Sequence, residues 1–342
     1  MIYVPIFKNR ETELRTIEVC QSLCGDSIIP YIEIIDEKYS RRRKETDCEV
    51  ITISAIQKKL SGAKAFVEFF RFKNDEYAGD YDPDKVGLAR ELSANENEYF
   101  YRTLDLCNYE GLIPSISIKP GFKISFSDLD RLLKDMKARG RSVAVRVDIS
   151  LVDDYLEYLK RVLENKDYLL VDIRERNLLS QEINLVEISD EPMEPTLILI
   201  NSPRKAELQN GDFELDGWDT LISNEAINRY EKLGFAGFGD FAGYKDCLPR
   251  SGRVPYGYAL ALMYCVKENK FWSVRNDNSK DGNGGYRKVR RIVLEHEDFL
   301  NPDKECLAYK HIRSFEVGGY KEWIRVGMVR YISQIYSYIY EK

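Results

Sequence analysis

Histidine is nearly absent from this chain, whose 342 residues include only two, His296 and His311. Both come after the repeated strand pattern described below. The sequence therefore argues against barrel enzymes that work through histidines at the mouth, such as glycerophosphodiesterase-like proteins. The seven cysteines are scattered, form no CxxC pair and come closest at Cys20 and Cys24. This spacing excludes the usual zinc-finger arrangements and predicts free thiols in a reducing cytoplasm.

Long apolar runs and the common phosphate-loop signatures are also missing. No run approaches the roughly 18 apolar residues that a membrane-spanning helix needs. The first residues, MIYVPIFKNRE, reach charge after seven positions, which argues against a secretory signal peptide. Neither GxxxxGKS/T nor GxSxG occurs, so the sequence indicates neither a P-loop nor a hydrolase nucleophile elbow. We therefore expect a cytoplasmic protein that has no membrane as a partner.

Eight short apolar runs dominate the first 240 residues, and each ends in a charged or strongly polar residue. Helix-like stretches lie between most of them. The runs are IYVPIF (2–7), IIPYIEII (28–35), AFVEFF (65–70), LIPSISI (112–118), SVAVRVD (142–148), YLLVDI (168–173), TLILIN (196–201) and FAGFGD (235–240). Repeated strand-then-helix units are the pattern of an α/β protein with a (β/α)8 barrel, in which all strand carboxyl ends share one mouth.

The connections and the runs both support this fold class. Residues 12–23 show apolar positions at helical spacing, and Ser127 precedes an expected helix at 128–139. The runs are continuous rather than alternating, which is typical of parallel strands covered on both faces. We therefore predict a TIM-like (β/α)8 barrel over residues 1–249.

The pattern changes after Asp240, and residues 250–342 are predicted to form a C-terminal α+β extension packed on the barrel. An apolar stretch at 255–266 is followed by an expected strand at 270–274 and then by a loop rich in glycine, asparagine and aspartate. An amphipathic helix is expected at 323–340.

Charge is distributed unevenly along the chain, whose net charge is −6. Residues 250–342 hold 17 Lys and Arg against 11 Asp and Glu, a net of +6. The totals of 51 and 57 then leave 34 against 46, a net of −12, for residues 1–249. A basic segment after an acidic barrel is compatible with contact to nucleic acid, with docking on the barrel, or with no special role.

Ionisable residues near the strand ends form the candidate site, because a closed barrel gathers such positions around one opening. The candidate ligand-binding residues are Lys8, Arg10, Glu13, Glu33, Glu68, Lys119, Arg146, Asp148, Asp172, Arg174 and Asp240, with Arg71 and Asn201 beside them. The long polar segment 72–98 is expected to form a loop over this opening.

Acids and bases gathered in a low-dielectric cup have several possible uses. The lysines and arginines suit a phosphate or carboxylate, while Glu33, Asp172 and Asp240 could hold Mg²⁺ through their oxygens. The same groups could shift one another's pKa for acid–base chemistry. The alternative is an ion-pair network that fills the barrel without chemistry. Catalytic residues and cofactors stay unknown at this stage, with Mg²⁺ as the candidate metal.

Several segments resemble the phage and bacterial Beta protein family. YVPIFKNRETELRTI is similar to the family's opening YxPxxRxxxxEL, and IIPYIEI is similar to its second-strand element PxIEP. YEKLGFAGFGDFAGY resembles the family's GFxGFxDY segment, which is the most specific match. The segments that resemble the following helix, strand and closing helix are PYGYALALMYC, FWSVRNDNSKDG and WIRVGMVRYISQI. The resemblance covers nearly the whole chain.

The resemblance implies a genomic setting rather than a chemical reaction. Members of the family recur in prophages, mobile islands and phage-defence neighbourhoods, often beside a nuclease-like gene, so a nuclease-like partner is implied. No catalytic residue is transferred. The positions that match the motifs are Lys8, Arg10, Glu13, Glu33, Asp240, Asn276 and Asp277. Where relatives carry histidines, this chain has SVR at 273–275 and VRY at 329–331.

Three functions therefore stay open. The first is a prophage or phage-defence module whose barrel mouth binds an anionic ligand, such as a nucleotide or a phosphorylated fragment. The second is a phosphoester or nucleotide hydrolase that uses a carboxylate pair and Mg²⁺. The third is a non-catalytic partner of a nuclease that docks through residues 250–342.

Overall fold

Eight parallel strands close into a barrel, and helices form most of the connections between them. The structure, a computed structural model, describes residues 1–40, 49–77, 81–250, 257–296, 306–314 and 318–341. Each of the eight apolar runs forms one barrel strand, and neighbouring strands pair in parallel around the ring. The predicted TIM-like (β/α)8 class is therefore confirmed.

Strands and helices of the described residues are named in chain order. The barrel strands are β1 (Ile2–Lys8), β2 (Tyr31–Ile34), β3 (Ala65–Phe69), β4 (Leu112–Ile118), β5 (Ala144–Asp148), β6 (Tyr168–Asp172), β7 (Thr196–Ile200) and β9 (Gly237–Asp240). A second, antiparallel sheet contains β8 (Asp216–Trp218), β10 (Leu260–Cys265) and β11 (Lys270–Arg275). The helices are α1 (Glu11–Cys20), α2 (Thr52–Leu60), α3 (Gly87–Ala94), α4 (Glu96–Asp105), α5 (Phe126–Ala138), α6 (Val152–Val162), α7 (Leu178–Asp190), α8 (Ala226–Arg229), α9 (Gly285–Glu295), α10 (Leu307–Ser314) and α11 (Tyr320–Glu341).

Side chains along each barrel strand alternate between the interior and the helical layer outside. In β1, Val4 and Ile6 belong to the apolar cluster inside the barrel, while Tyr3 and Phe7 belong to the larger core around it. The same alternation turns Lys8 inward at the end of the strand.

Strand register places charged residues of neighbouring strands at the same height. Lys8 is the register partner of Glu33, and Glu33 is the partner of Glu68. On another part of the ring, Asp148 is the partner of Asp172. Since parallel strands present these positions toward one end, the charged residues form a polar layer above the apolar interior.

Two local predictions are wrong, and both errors have a physical reason. Helix α5 is capped by Ser125 rather than Ser127, because Ser125 accepts a hydrogen bond from the Asp128 N–H and donates one to the Asp128 carboxylate. The apolar stretch at 255–266, which resembles a helix of the Beta protein family, contains strand β10 instead. A short apolar run fits either element, and pairing with β11 along its whole length decides for the strand. Residues 255–256 of that stretch lie outside the described residues.

The segment 72–98 is only partly a loop. Its second half contains α3 and the start of α4, whereas residues 72–77 turn back over the barrel mouth. Residues 78–80 lie outside the part of the chain that the structure describes.

The C-terminal segment packs on the barrel through α11, which contacts α1 and β10. Strand β8 belongs to the β7–β9 connection of the barrel, yet it completes the sheet in the order β10–β11–β8. The division between residues 249 and 250 therefore stays a prediction, because this sheet draws on both sides of it. Across the described residues, no helix has the length and apolar character needed to cross a membrane.

Asp240 joins the outer side of the barrel to α11. Its Oδ1 accepts a hydrogen bond from the Tyr3 hydroxyl at 2.9 Å, and its Oδ2 accepts one from the Tyr331 hydroxyl at 2.6 Å. Burial raises the pKa of Asp240 to about 6, although these hydrogen bonds oppose the shift. Asp240 is the register partner of Pro5, which shares the outward side of β1 with Tyr3. The side chain of Asp240 therefore does not face the mouth.

The raised pKa of Asp240 leads us to expect a pH-dependent stability. The folded protein binds this proton more tightly than the unfolded chain, so the unfolding free energy should fall as pH rises from 3.8 to about 6. One such group contributes a slope of at most about 1.4 kcal/mol per pH unit. Asp240→Asn should remove this contribution, as measured by urea unfolding across the range. Asp26→Asn, at a fully exposed carboxylate, is the control. Equal slopes in the wild type and Asp240→Asn would contradict the assignment.

Candidate functional site

Arg146 stands at the centre of the polar layer and joins carboxylates from neighbouring parts of the ring. Its Nη1 donates to Glu33 Oε1 at 2.8 Å, and its Nε donates to Asp172 Oδ2 at 2.9 Å. Glu68 Oε2 lies 3.6 Å from the same Nη1. All four side chains are buried. Burial alone would lower the pKa of Arg146, but Asp172 and Glu33 outweigh it and raise the pKa. Arg146 is thus a fixed cation already held by barrel carboxylates.

Lys8 forms a second junction between the barrel and a loop. Its Nζ lies 2.7 Å from Glu33 Oε2 and 2.5 Å from Oδ1 of Asp246, which follows β9. The rings of Phe70 and Phe241 lie 4.9 and 5.0 Å from this nitrogen. Burial opposes the charge of Lys8, but Asp246 and Glu33 raise its pKa. Burial likewise opposes the charge of Asp246, but Lys8 and other cations hold its pKa well below the usual range.

Glu68 is held partly by hydroxyl groups. The Tyr31 hydroxyl donates to Glu68 Oε2 at 2.6 Å and also lies 2.7 Å from Ser115 Oγ. Burial raises the pKa of Glu68, and the opposing charge of Arg146 does not cancel this effect. Glu68 therefore holds its proton more tightly than an ordinary glutamate.

The segment after β3 folds over the mouth and inserts Glu76 between two cations. Glu76 Oε1 accepts a hydrogen bond from Lys119 Nζ at 3.1 Å and another from Arg174 Nη2. The neighbouring Tyr77 hydroxyl donates to Asp246 Oδ2 at 3.0 Å. Burial lowers the pKa of Lys119, and Glu76 offsets this only in part. Burial raises the pKa of Glu76, but Lys119 and Arg174 reverse this and lower it.

Arg174 has an unusual backbone. Its φ of 56° lies in the left-handed region, which residues other than glycine seldom adopt. Its N–H donates to Asp172 Oδ1 at 2.8 Å. Its guanidinium lies 3.7 Å from Asp148 Oδ2 and 3.7 Å from Asp246 Oδ2. The strained backbone therefore directs a cation into the mouth.

A cavity of about 10 Å³ remains among these groups, which is room for about one water molecule. Its lining includes Glu68, Ser117, Lys119, Arg146, Asp148, Asp172 and Arg174. In this conformation the mouth is covered by 72–77 and by the loop after β9, and its interior is filled by ion pairs.

Most of the candidate residues meet at the mouth. These are Lys8, Glu33, Glu68, Lys119, Arg146, Asp148, Asp172 and Arg174. Arg10 and Glu13 instead pair with each other at the start of α1, where Arg10 Nη2 donates to Glu13 Oε1 at 2.7 Å. The expectation that Asp240 lies at the mouth is wrong, because the register of β9 turns its side chain outward.

The expected magnesium ligands do not converge. Glu33 and Asp172 both bind Arg146, and Asp240 lies on the outer side of the barrel. Within the described ranges, no group of three or more His, Cys, Asp or Glu side chains is placed to hold a metal ion. The arrangement therefore gives no support to the metal-dependent hydrolase hypothesis.

Sequence reasoning misses Glu76, Tyr77 and Asp246 as members of the site. Glu76 and Tyr77 lie in the segment expected to cover the mouth, but nothing in the local pattern singles them out. Asp246 does carry a signal, since it lies in the loop after the last barrel strand, at the rim that all the strands share.

Comparison with known proteins assigns no family to this chain. No family model and no curated protein sequence matches it. Among solved structures, a 3-dehydroquinate dehydratase from Aquifex aeolicus VF5 aligns with a TM-score of 0.37 and 11% identity, covering 73% of this chain and 94% of that one. A D-psicose 3-epimerase with D-tagatose, from Clostridium cellulolyticum H10, aligns with a TM-score of 0.36 and 14% identity, covering 70% and 84%. Likeness at this level carries no argument about function.

The network around Arg146 leads to a stability test. Arg146→Met leaves Glu33 and Asp172 buried without their shared cation, so we expect it to lower the unfolding free energy by about 3–5 kcal/mol. Arg176→Met is the matched control, because Arg176 is 37% exposed and its contact with Asp148 should contribute about 1 kcal/mol or less. Urea unfolding measures both. Similar losses in the two variants would show that the buried network does not form as described.

Proposed function

We propose that the barrel mouth binds a small ligand through a phosphate or carboxylate group, and that Lys119 and Arg174 contact its oxygens. The observation that carries this proposal is the position of Glu76, one of whose carboxylate oxygens lies between these two cations. Glu76 comes from the segment after β3 rather than from a barrel strand. The oxyanion of a ligand could therefore replace it without breaking the pairs around Arg146.

Incomplete charge compensation at Lys119 supports a more highly charged ligand. Burial lowers the pKa of Lys119, and the nearby charge of Arg174 acts in the same direction, so Glu76 offsets the burial of Lys119 only in part. Arg174 has further carboxylates nearby, in Asp148 and Asp246. A phosphate brings more negative charge and more acceptor oxygens than one carboxylate, and arginine can bind it through two parallel hydrogen bonds. We therefore favour a phosphate-bearing ligand, such as a nucleotide or a phosphorylated fragment.

The backbone of Arg174 gives independent support. A left-handed conformation at a residue other than glycine costs on the order of 1–3 kcal/mol, and such strain clusters at ligand sites. The Arg174 carbonyl oxygen accepts a hydrogen bond from Asn201 Nδ2 at 2.8 Å, and its N–H donates to Asp172. These contacts hold the strained backbone, which aims the guanidinium at the position that Glu76 occupies.

Binding at this site requires residues 72–77 to move, because the cavity beneath them holds only about one water molecule. Residues 73–75 are exposed, whereas Phe72 is buried and packs against Tyr77, so apolar contacts oppose the movement only at the two ends of the segment. The apparent affinity for a ligand would then be reduced by the fraction of molecules in which Glu76 occupies the site.

Replacing Glu76, which occupies the proposed position of the ligand, tests the proposal. Glu76→Gln should strengthen binding of inorganic phosphate and of AMP by roughly tenfold, because a neutral amide holds the two cations less tightly. Lys119→Met should weaken the binding of both. Lys123→Met is the matched control, since Lys123 lies on the same loop but is 58% exposed and pairs with Asp154. Isothermal titration calorimetry at low ionic strength measures all four proteins.

Equal phosphate affinity in the wild type, Glu76→Gln and Lys119→Met would place the phosphate elsewhere and contradict the proposal. Strengthening for AMP alone in Glu76→Gln would favour a nucleotide. Strengthening for both probes to the same extent would favour a ligand recognised by its phosphate group.

The prophage or phage-defence setting and the nuclease-like partner are implied only by the family resemblance and stay predictions. Some basic residues of 250–342 are already engaged in the fold. Arg275 Nε donates to the Phe213 carbonyl at 2.9 Å, and Arg330 Nε donates to the Tyr264 carbonyl at 2.8 Å. These contacts favour docking on the protein itself as the role of those two arginines.

A further inference from the structure

A second cleft lies beside the mouth, between the barrel and the C-terminal extension. It is formed by the loop after β7, the loop after β9, the second sheet and one face of α11. Its cavity of about 30 Å³ is room for roughly two water molecules and is open on one side. The lining residues that matter here are Arg204, Tyr244, Tyr286, Tyr320 and Trp323. None of them takes part in the ion pairs described for the mouth.

Arg204 is a buried cation without a counter-ion among the described residues. Its side chain is only 6% exposed, and no hydrogen bond or ion pair joins it to any other described residue. Its Nε is fully buried and has no partner. The rings of Phe213 and Tyr244 lie 5.1 and 5.3 Å from the guanidinium carbon. These rings offset part of the cost of burying the charge, but they supply no acceptor for the buried Nε–H.

Nearby groups do not supply the missing charge. Asp219 is buried, and Arg204 affects its titration, yet the two side chains are not within the 4.0 Å of an ion pair. Asp219 Oδ1 instead accepts a hydrogen bond from the Leu221 N–H at 2.8 Å. Lys245 adds a second buried cation, whose Nζ is held only by backbone carbonyl oxygens. Burial, followed by the charge of Arg204, lowers the pKa of Lys245 to about 8.

Arg204 and Lys245 both lie in loops at the carboxyl end of the barrel. Arg204 follows β7 and Lys245 follows β9, which are the seventh and eighth strands of the ring. Phosphate sites of (β/α)8 barrels frequently lie between these two loops. We infer that this cleft binds the phosphate group of a small phosphorylated ligand, with Arg204 as its main hydrogen-bond donor. The body of the ligand would then lie against Tyr320, which is half exposed at the open side of the cleft.

Phosphate binding is best measured in a Lys119→Met background, because that substitution weakens the proposed mouth site and so separates the two proposals. Adding Arg204→Met should weaken binding of inorganic phosphate by at least roughly tenfold. The same change should leave the melting temperature of the free protein equal or higher, since it removes an uncompensated buried charge. Calorimetric titration and thermal unfolding give the two readouts.

Arg275→Met is the matched control. Arg275 also stacks on a tyrosine, with its guanidinium carbon 4.5 Å from the Tyr258 ring, but its Nε donates to the Phe213 carbonyl oxygen. This variant should keep phosphate binding and lower the melting temperature. Absence of phosphate binding in the Lys119→Met protein would overturn the inference. So would a fall in the melting temperature of Arg204→Met with unchanged phosphate affinity, which would give Arg204 a structural role only.

A measurement on the wild-type chain keeps the inference testable if Arg204→Met does not fold. Phenylglyoxal modifies arginine side chains, and peptide mass spectrometry locates the modified residues. Inorganic phosphate should slow the modification of Arg204 several-fold and leave Arg131, which is 64% exposed on α5, unchanged. Equal modification of Arg204 with and without phosphate would rule out the site.

Discussion

The free-energy cost of taking charges out of water is the constraint on which the open end of this barrel depends. A buried cation is tolerated only when acceptors surround it, because an unpaired charge in a low-dielectric interior is strongly unfavourable. Arg146 meets this condition through Glu33 and Asp172, which belong to barrel strands and therefore hold their positions. The charged layer separates the apolar interior of the barrel from the loops above it. The pairs of Arg146 therefore support the contacts on both sides of the layer.

The cations of this protein differ in what neutralises them, and this difference connects the two candidate sites. Arg146 is held by carboxylates on strands, Lys119 by a carboxylate on the segment that covers the mouth, and Arg204 by no carboxylate among the described residues. A strand carboxylate cannot leave without disturbing the barrel, whereas a loop carboxylate can be displaced. The proposed anion sites therefore use Lys119 and Arg204 rather than Arg146.

The sequence predicts the barrel well because closed rings of parallel strands require continuous apolar runs of limited length, and such runs are visible without a structure. Side-chain direction is harder to predict, since it depends on register. Lys8 and Asp240 both end an apolar run, yet one faces the interior and the other the helical layer. Glu76 is hard to predict from the sequence for another reason. A loop returns to the mouth only because tertiary contacts hold it, here the aromatic packing of Phe72 against Tyr77.

The loop after β9 contributes residues to several of these contacts. Asp240 at its start binds Tyr331 of α11, Tyr244 lines the second cleft, and Asp246 pairs with Lys8 inside the mouth. Adjacent residues of one short segment thus face different sites. This loop therefore contributes residues to both proposed sites, although each site has its own cations.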